Sequence, residues 1–268
     1  MRLDIAIVLR GLAKSRQASK ELISTGKVSI NGIIIKKPSS DIIESDEIVV
    51  NGSACIYVSR GGLKLEKALK SFEINLKDRI CMDIGASTGG FTDCMLQNGA
   101  KMVYAIDAGS GQLDNLLVSD SRVVNIEKTN IRYLNDDLIS DKIDFISVDV
   151  SFISLTYIIP VISKHLKEGC KAVLLVKPQF EAGRANIGKN GVVKSQKVHV
   201  DVIESVISCL NQNGLIGLDL DYSPIKGSQG NIEYLMCIYK PSRQENLTDY
   251  NLKFDIKKII SDAHLFLN

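Results

Sequence analysis

Ile80-Cys-Met-Asp-Ile-Gly-Ala-Ser-Thr-Gly-Gly-Phe-Thr-Asp93 decides the fold of this 268-residue chain. Its first five residues are an apolar run of strand length, and Gly85, Gly89 and Gly90 then make a strand-to-helix turn. Such a turn lets the backbone pass close to a ligand and lets a helix N-terminus aim its N–H groups at it. The spacing is Gly-x-x-x-Gly-Gly, not the Gly-x-Gly-x-x-Gly of nicotinamide-binding turns. Asp83 enters the turn with the strand. Asp107 closes the next apolar run, Val103-Tyr-Ala-Ile, where a carboxylate can accept hydrogen bonds from a ribose diol.

Outward from that turn, apolar runs alternate with helical patterns. Helices are expected over 62–72, 90–98, 112–118, 155–166 and 196–213. Strands are expected over 80–84, 102–106, 123–126, 145–148, 172–176, 215–221 and 233–239. Buried strands separated by helices predict an α/β fold, a mostly parallel, doubly wound Rossmann-like sheet covered on both faces. The loop from Tyr222 to Asn231 is too short for a crossover helix, so the last two strands form an antiparallel hairpin at one edge. The tail, 252–266, reads as one more amphipathic helix.

The N-terminus reads differently. Leu3, Ile7 and Val8 give one helical face. Ser15 caps a second helix over 16–25, closed by Gly26. Short strands then surround Asn31-Gly32 and precede Asn51-Gly52, both hairpin-turn dipeptides. This small α+β module, 1–58, precedes a larger domain, 59–268, with the boundary in 52–58. Residues 1–37 carry eight basic side chains (Arg2, Arg10, Lys14, Arg16, Lys20, Lys27, Lys36 and Lys37) against Asp4 and Glu21. That clustering fits a phosphate-facing surface or an ordinary charged one; the net charge of +2 decides nothing.

The six cysteines are scattered without CxxC pairs, so no zinc site is expected, and their apolar settings predict a reducing, cytoplasmic location. The chain opens into Arg2-Leu-Asp with no apolar signal segment behind a basic start. Its longest uncharged apolar stretch, 150–163, is too short for a membrane span. No membrane association is expected, and the oligomeric state stays open.

Four charged residues stand at strand ends or on a facing helix: Lys64 in Ser59-Arg-Gly-Gly-Leu-Lys64, Asp149 in Ser147-Val-Asp149-Val-Ser-Phe-Ile-Ser, Lys177 in Leu174-Leu-Val-Lys177-Pro-Gln-Phe-Glu181, and Glu233 in Gly230-Asn-Ile-Glu233-Tyr. Charge at the carboxyl end of a buried strand is costly unless it faces a site, and that crevice is where open α/β sheets bind ligands. Each of the four also fits a structural salt bridge.

The order Lys, Asp, Lys, Glu is similar to the tetrad of FtsJ-like 2′-O-methyltransferases. Ser59-Arg-Gly-Gly, the 83–93 turn, Asp149-Val-Ser-Phe-Ile-Ser-Leu and Val176-Lys-Pro-Gln-Phe-Glu resemble the hemolysin A (TlyA) family over about residues 1–240, and 1–32 resembles its S4 RNA-binding domain. Thr88 replaces a proline usual in the main FtsJ pattern, which favours the hemolysin branch. The resemblance implies a class I methyltransferase domain, set apart from dinucleotide-binding domains by its antiparallel last strand. It implies S-adenosyl-L-methionine as cofactor and cytidine 2′-hydroxyls of ribosomal RNA, within ribosomal subunits, as substrate.

It further implies a cofactor held by Asp83, Gly85, Ala86, Ser87, Thr88, Gly89, Gly90, Phe91 and Asp149, with its ribose at Asp107 and its adenine near Asn130. Lys177 would be the base, positioned by Lys64, Asp149 and Glu233, and RNA would meet Arg2, Arg10, Lys14, Arg16, Lys20, Lys27 and Arg60. Segment 184–194 fits phosphate contact or plain surface. The nucleotide and the subunit stay open. A pore-forming hemolysin and a non-catalytic S4-type RNA-binding protein with a degenerate methyltransferase fold remain as rivals.

Overall fold

The chain divides into two units, Met1–Arg60 and Gly61–Asn268, in a computed structural model that describes residues 1–13, 16–50, 56–227, 229–242, 245 and 254–267. The expected Lys14 contact, the Ser15 cap, the Asn51-Gly52 turn, most of the 52–58 boundary and the start of the tail helix at Leu252 lie outside the described residues.

In the first unit, helices α1 (Leu3–Leu9) and α2 (Arg16–Ser24) precede strands β1 (Val28–Ile30), β2 (Ile33–Ile34) and β3 (Ile48–Val50). β1 is central and antiparallel to both neighbours. Asn31 and Gly32 have φ of 49° and 82°, the pair of positive values that a two-residue hairpin turn matched to strand twist requires. Leu3, Ile7, Leu22, Ile23, Val28 and Ile42 form the core.

The second unit begins with α3 (Gly61–Ser71) and continues through β4 (Ile80–Ile84), α4 (Gly90–Gln97), β5 (Met102–Ile106), α5 (Asn115–Val118) and β6 (Val123–Ile126). Next come β7 (Ile143–Val148), α6 (Ile159–His165), β8 (Leu166–Val176), α7 (Pro178–Glu181), α8 (Gln196–Gln212), β9 (Ile216–Tyr222), β10 (Tyr234–Lys240) and α9 (Ile256–Leu267). Its seven strands order as β6-β5-β4-β7-β8-β10-β9. β4 to β8 are parallel, while β10 is antiparallel to both β8 and β9. The expected mostly parallel sheet with an antiparallel last strand is therefore present.

Side chains alternate across a strand, and both faces are covered. Met82, Ile84, Ile146 and Val148 share a core with Ile162 of α6 and Val202, Ile203 and Val206 of α8, over which α9 adds Ile260 and Ala263. Asp83 and Ser147 point the other way, to Thr92 and Met95 of α4, and α3 lies against α4.

Several boundaries differ from expectation: α5 starts at Asn115 rather than 112, β7 at Ile143 rather than 145, and α9 at Ile256 rather than 252, and two larger differences have visible causes. The helix expected over 155–166 is a 3-10 turn, Leu155–Tyr157, followed by α6 with Pro160 in its first turn, where proline's missing N–H costs nothing. β8 starts at Leu166, ahead of the expected 172, because Lys167 pairs with Asp144 of β7 at 2.6 Å and a register shift between Ile143 and Phe145 absorbs the extra residues. Among the described residues no helix is long and apolar enough to cross a membrane.

Candidate active site

Strand register brings the candidate residues to one edge. Val148 pairs with Ile84 and with Leu174, and Val176 pairs with Tyr234. The glycine turn, Asp149 and Lys177 thus leave the carboxyl ends of β4, β7 and β8, and antiparallel β10 brings Glu233 to the same edge. Lys177 Nζ meets Asp149 Oδ1 at 2.6 Å and donates to Ser151 Oγ at 3.0 Å. Lys64 Nζ donates to Glu233 Oε2 at 2.6 Å. Lys64, Lys177 and Glu233 are 7%, 8% and 2% exposed, while Asp149 is half-buried, so the four residues form one buried ion pair, Lys64–Glu233, and one, Lys177–Asp149, that reaches solvent at its carboxylate.

Neighbouring contacts fix the Lys64–Glu233 pair. One turn beyond Lys64, Lys67 Nζ donates to Asp221 Oδ1 and Tyr222 O at 2.8 and 2.6 Å and sits 3.8 Å from the Tyr222 ring centre, anchoring α3 to β9. A Cβ on Gly227 would stand 2.4 Å from Glu233 Oε1, so a larger residue there would displace that carboxylate.

The glycine turn is shaped by the protein's own packing. Gly85 has φ +86°, and a Cβ there would lie 2.3 Å from the Asp149 carbonyl oxygen; Gly89 has φ +94°, and a Cβ there would lie 2.2 Å from Leu117 Cδ1. Gly85 therefore seats the turn directly on the backbone of Asp149. Ser87 is exposed at φ 49° and its N–H donates to Asp107 Oδ2 at 2.7 Å, while Gly109 N–H donates to Asp107 Oδ1 at 2.7 Å. Ala86, Gly90 and Phe91 are buried; Gly85, Thr88 and Asp107 are half-buried.

Asp83 is fully buried, and its two oxygens accept from Thr92 Oγ1 at 2.7 Å and Ser147 Oγ at 3.1 Å. Burial pushes its carboxyl up to about 7 against those two hydroxyls. The sequence leads one to expect a ligand contact here; both oxygens instead turn inward, where they tie β4 and β7 to α4. Asn130 Oδ1 caps a 3-10 turn, accepting from Arg132 N at 3.1 Å. The donor set fits a nucleoside cofactor: an ionised carboxylate offers about four acceptor positions, Asp107 spends two on backbone N–H groups, and a ribose diol can take the rest beside the α4 N-terminus.

Several residues around this edge escaped sequence reasoning. Phe152 is 91% exposed with φ 64°, its ring centre 5.0 Å from that of Phe180. Glu181 accepts from Ser154 Oγ and Leu155 N. Arg132 lies over the exposed Tyr133 and near Tyr157. Phe152 sits in an uncharged apolar run that reads as core, and only its backbone conformation turns it outward.

In the first unit, Arg2 and Arg16 both pair with Asp4, at 3.0 and 2.9 Å, and Asp4 is 0% exposed. Chiefly the Arg2 hydrogen bond, opposed by burial, holds the Asp4 carboxyl down at about 2. Arg10 donates to the carbonyls of Asp46 and Glu44. These three arginines therefore have structural tasks that the sequence did not reveal. Lys20 is half-buried; Lys27 and Arg60 are exposed.

Comparison with known proteins bears on this geometry. Residues 57–240 match the FtsJ-like methyltransferase family and residues 1–52 match the S4 domain. The Bacillus subtilis relative YqxC is 46% identical over 98% of this chain and 94% of its own. The 16S/23S rRNA (cytidine-2'-O)-methyltransferase TlyA of Mycobacterium tuberculosis is 40% identical over 98% of both. A solved structure from Streptococcus thermophilus is 44% identical, covers 99% of this chain and 96% of its own, and superposes with a TM-score of 0.78.

Proposed function

The chain belongs to the FtsJ-like methyltransferase family and is an S-adenosylmethionine-dependent enzyme with an S4 domain, and on that premise we propose that it methylates cytidine 2′-hydroxyls of ribosomal RNA. The observation that carries this reading is the Lys177–Asp149 pair, buried at the lysine, beside the glycine turn. Similarity over nearly the whole chain to an enzyme named for 16S/23S rRNA cytidine 2′-O-methylation supports the substrate class.

A ribose hydroxyl is a weak nucleophile and needs a base within hydrogen-bond reach and in-line positioning. The cofactor, when bound, supplies an electrophilic methyl on a sulfonium. Lys177 is the proton acceptor. To serve as base, its ammonium first gives a proton to solvent; the amine that remains can keep its two N–H groups on Asp149 Oδ1 and Ser151 Oγ, which leaves the nitrogen lone pair for the hydroxyl. Once the proton has arrived, Asp149 faces the ammonium it formed. Glu233 and Lys64 lock the neighbouring wall of the crevice, and the Ser87 to Phe91 turn with Asp107 holds the cofactor. The basic S4 surface, through Lys20 and Lys27, adds RNA affinity without base specificity. A cytoplasmic location follows from the substrate and fits the buried Cys81, Cys94 and Cys237 thiols.

Ribosomal subunits from cells lacking the protein, incubated with labelled cofactor and purified enzyme, test the reading. The expected product after digestion is 2′-O-methylcytidine; label on a base, or none, overturns it.

A further inference from the structure

Two segments leave the strands that carry the Lys177–Asp149 pair. Residues 150–155 follow β7, and α7 follows β8. They meet at three points: Lys177 Nζ donates to Ser151 Oγ at 3.0 Å, the Phe152 and Phe180 rings tilt together at 5.0 Å, and Glu181 closes the far end. Glu181 Oε2 accepts from Ser154 Oγ at 2.6 Å and Oε1 accepts from Leu155 N at 2.8 Å.

The intervening Phe152 is in the left-handed region, which non-glycine residues adopt only when their surroundings impose it. At 91% exposure its side chain has only the Phe180 ring beside it and no core to impose it, so the conformation rests chiefly on the two ends of the segment. One end is β7 with Lys177. The other is Glu181, both of whose oxygens are spent on this single task, at a desolvation cost that raises its pKa.

We infer that Glu181 is a positioning residue for methyl transfer: by clasping Ser154 and Leu155 it holds Ser151 against Lys177 and keeps the Phe152 ring presented at the mouth of the site. This rests on Lys177 being the proton acceptor. Without the clasp, Phe152 relaxes to negative φ, Ser151 leaves Lys177 Nζ, and the lysine loses one of the two contacts that fix the direction of its lone pair. The glycine turn is untouched, so cofactor binding persists.

The chain contains no tryptophan, so Phe152→Trp in the full-length protein installs a single indole reporter on the segment. In that background Glu181→Ala is expected to lower indole anisotropy and increase acrylamide quenching. With Phe152 retained, Glu181→Ala is expected to reduce kcat at least about tenfold with the cofactor KM within about twofold, the pattern of lost transition-state positioning. Glu181→Gln, which keeps an acceptor for one of the two donors, should fall between. A residue that only caps the 155–157 turn would lower the melting temperature and leave kcat alone.

Unchanged anisotropy, or kcat within about twofold of wild type in the folded Glu181→Ala protein, overturns the inference. If that variant does not fold, Glu181→Gln decides by the same criteria. Lys177→Ala is the separate arm: retained transfer there removes the parent reading, while the anisotropy result still reports on the clasp.

Discussion

A dehydrated ion pair such as Lys64–Glu233 does little for net stability, because desolvating both partners offsets their attraction, whereas breaking the pair strands a buried charge. Lys64→Met is therefore expected to destabilise the protein by about 3 kcal/mol, and Lys64→Met/Glu233→Leu to regain most of it, as read from denaturant midpoints; neither variant should methylate RNA. A double mutant with wild-type transfer would reduce the pair to packing. Arg16→Ala should likewise lower stability, by about 1–2 kcal/mol, because Asp4 loses one of its two partners. Arg16 is thus a poor probe of RNA binding.

His199 makes a pH-dependent contribution. It is fully buried; its Nε2–H donates to Val193 O at 3.0 Å, and its Nδ1 accepts from Tyr234 OH at 2.6 Å, the tautomer those partners demand. Burial, aided by the nearby His264, pulls its pKa from 6.5 to about 4. The unfolded chain therefore binds a proton that the folded one refuses. This contribution is present above pH 6.5 and is lost as pH falls from 6.5 toward 4, by up to roughly 3 kcal/mol. Asp83, raised to about 7, acts in the opposite sense as pH falls toward its ordinary 3.8. The readout is accordingly the difference between wild type and His199→Gln across that window: it should shrink on acidification, and a constant difference would rule out a neutral buried imidazole.

At the scale of elements, the glycine turn is the part most open to test. Gly89→Ala should destabilise the protein by about 2–4 kcal/mol through positive φ and overlap with Leu117, and Leu117→Ala in the same chain should relieve part of the loss. Gly85→Ala has no such rescue, since its Cβ would strike the Asp149 backbone. Equal rescue at both positions would mean that backbone strain alone sets the cost. The turn was legible in the sequence, as were β4, β5 and β6, because runs of four or five mostly apolar residues bounded by turn residues have few other homes. The reason for its glycines was not legible, since Leu113, Leu117 and Asp149 are distant in sequence. The early start of β8 was hidden as well: Lys167, Glu168 and Gly169 look like loop until Asp144 provides a partner across the sheet.

For the whole molecule, the sequence carried the domain classes, and it singled out the four charged residues because charge at the end of a buried apolar strand is costly unless it is paired or faces a site; the structure pairs all four. The RNA surface was less legible: the count of basic residues shows neither that Arg2 and Arg16 face Asp4 nor that Arg10 holds a loop. Lys20 and Lys27 are the better probes. Their joint replacement by alanine should weaken RNA binding and reduce the slope of log affinity against log salt by about 1 to 2; an unchanged slope would move the RNA contact away from these two lysines.

The most direct test is single-turnover methyl transfer to ribosomal RNA by Lys177→Ala, with cofactor and RNA binding measured on the same preparation. The rate should fall at least about a hundredfold, as loss of a general base requires, with both affinities close to wild type. Transfer within a few-fold of wild type would show that the ribose proton leaves by another route.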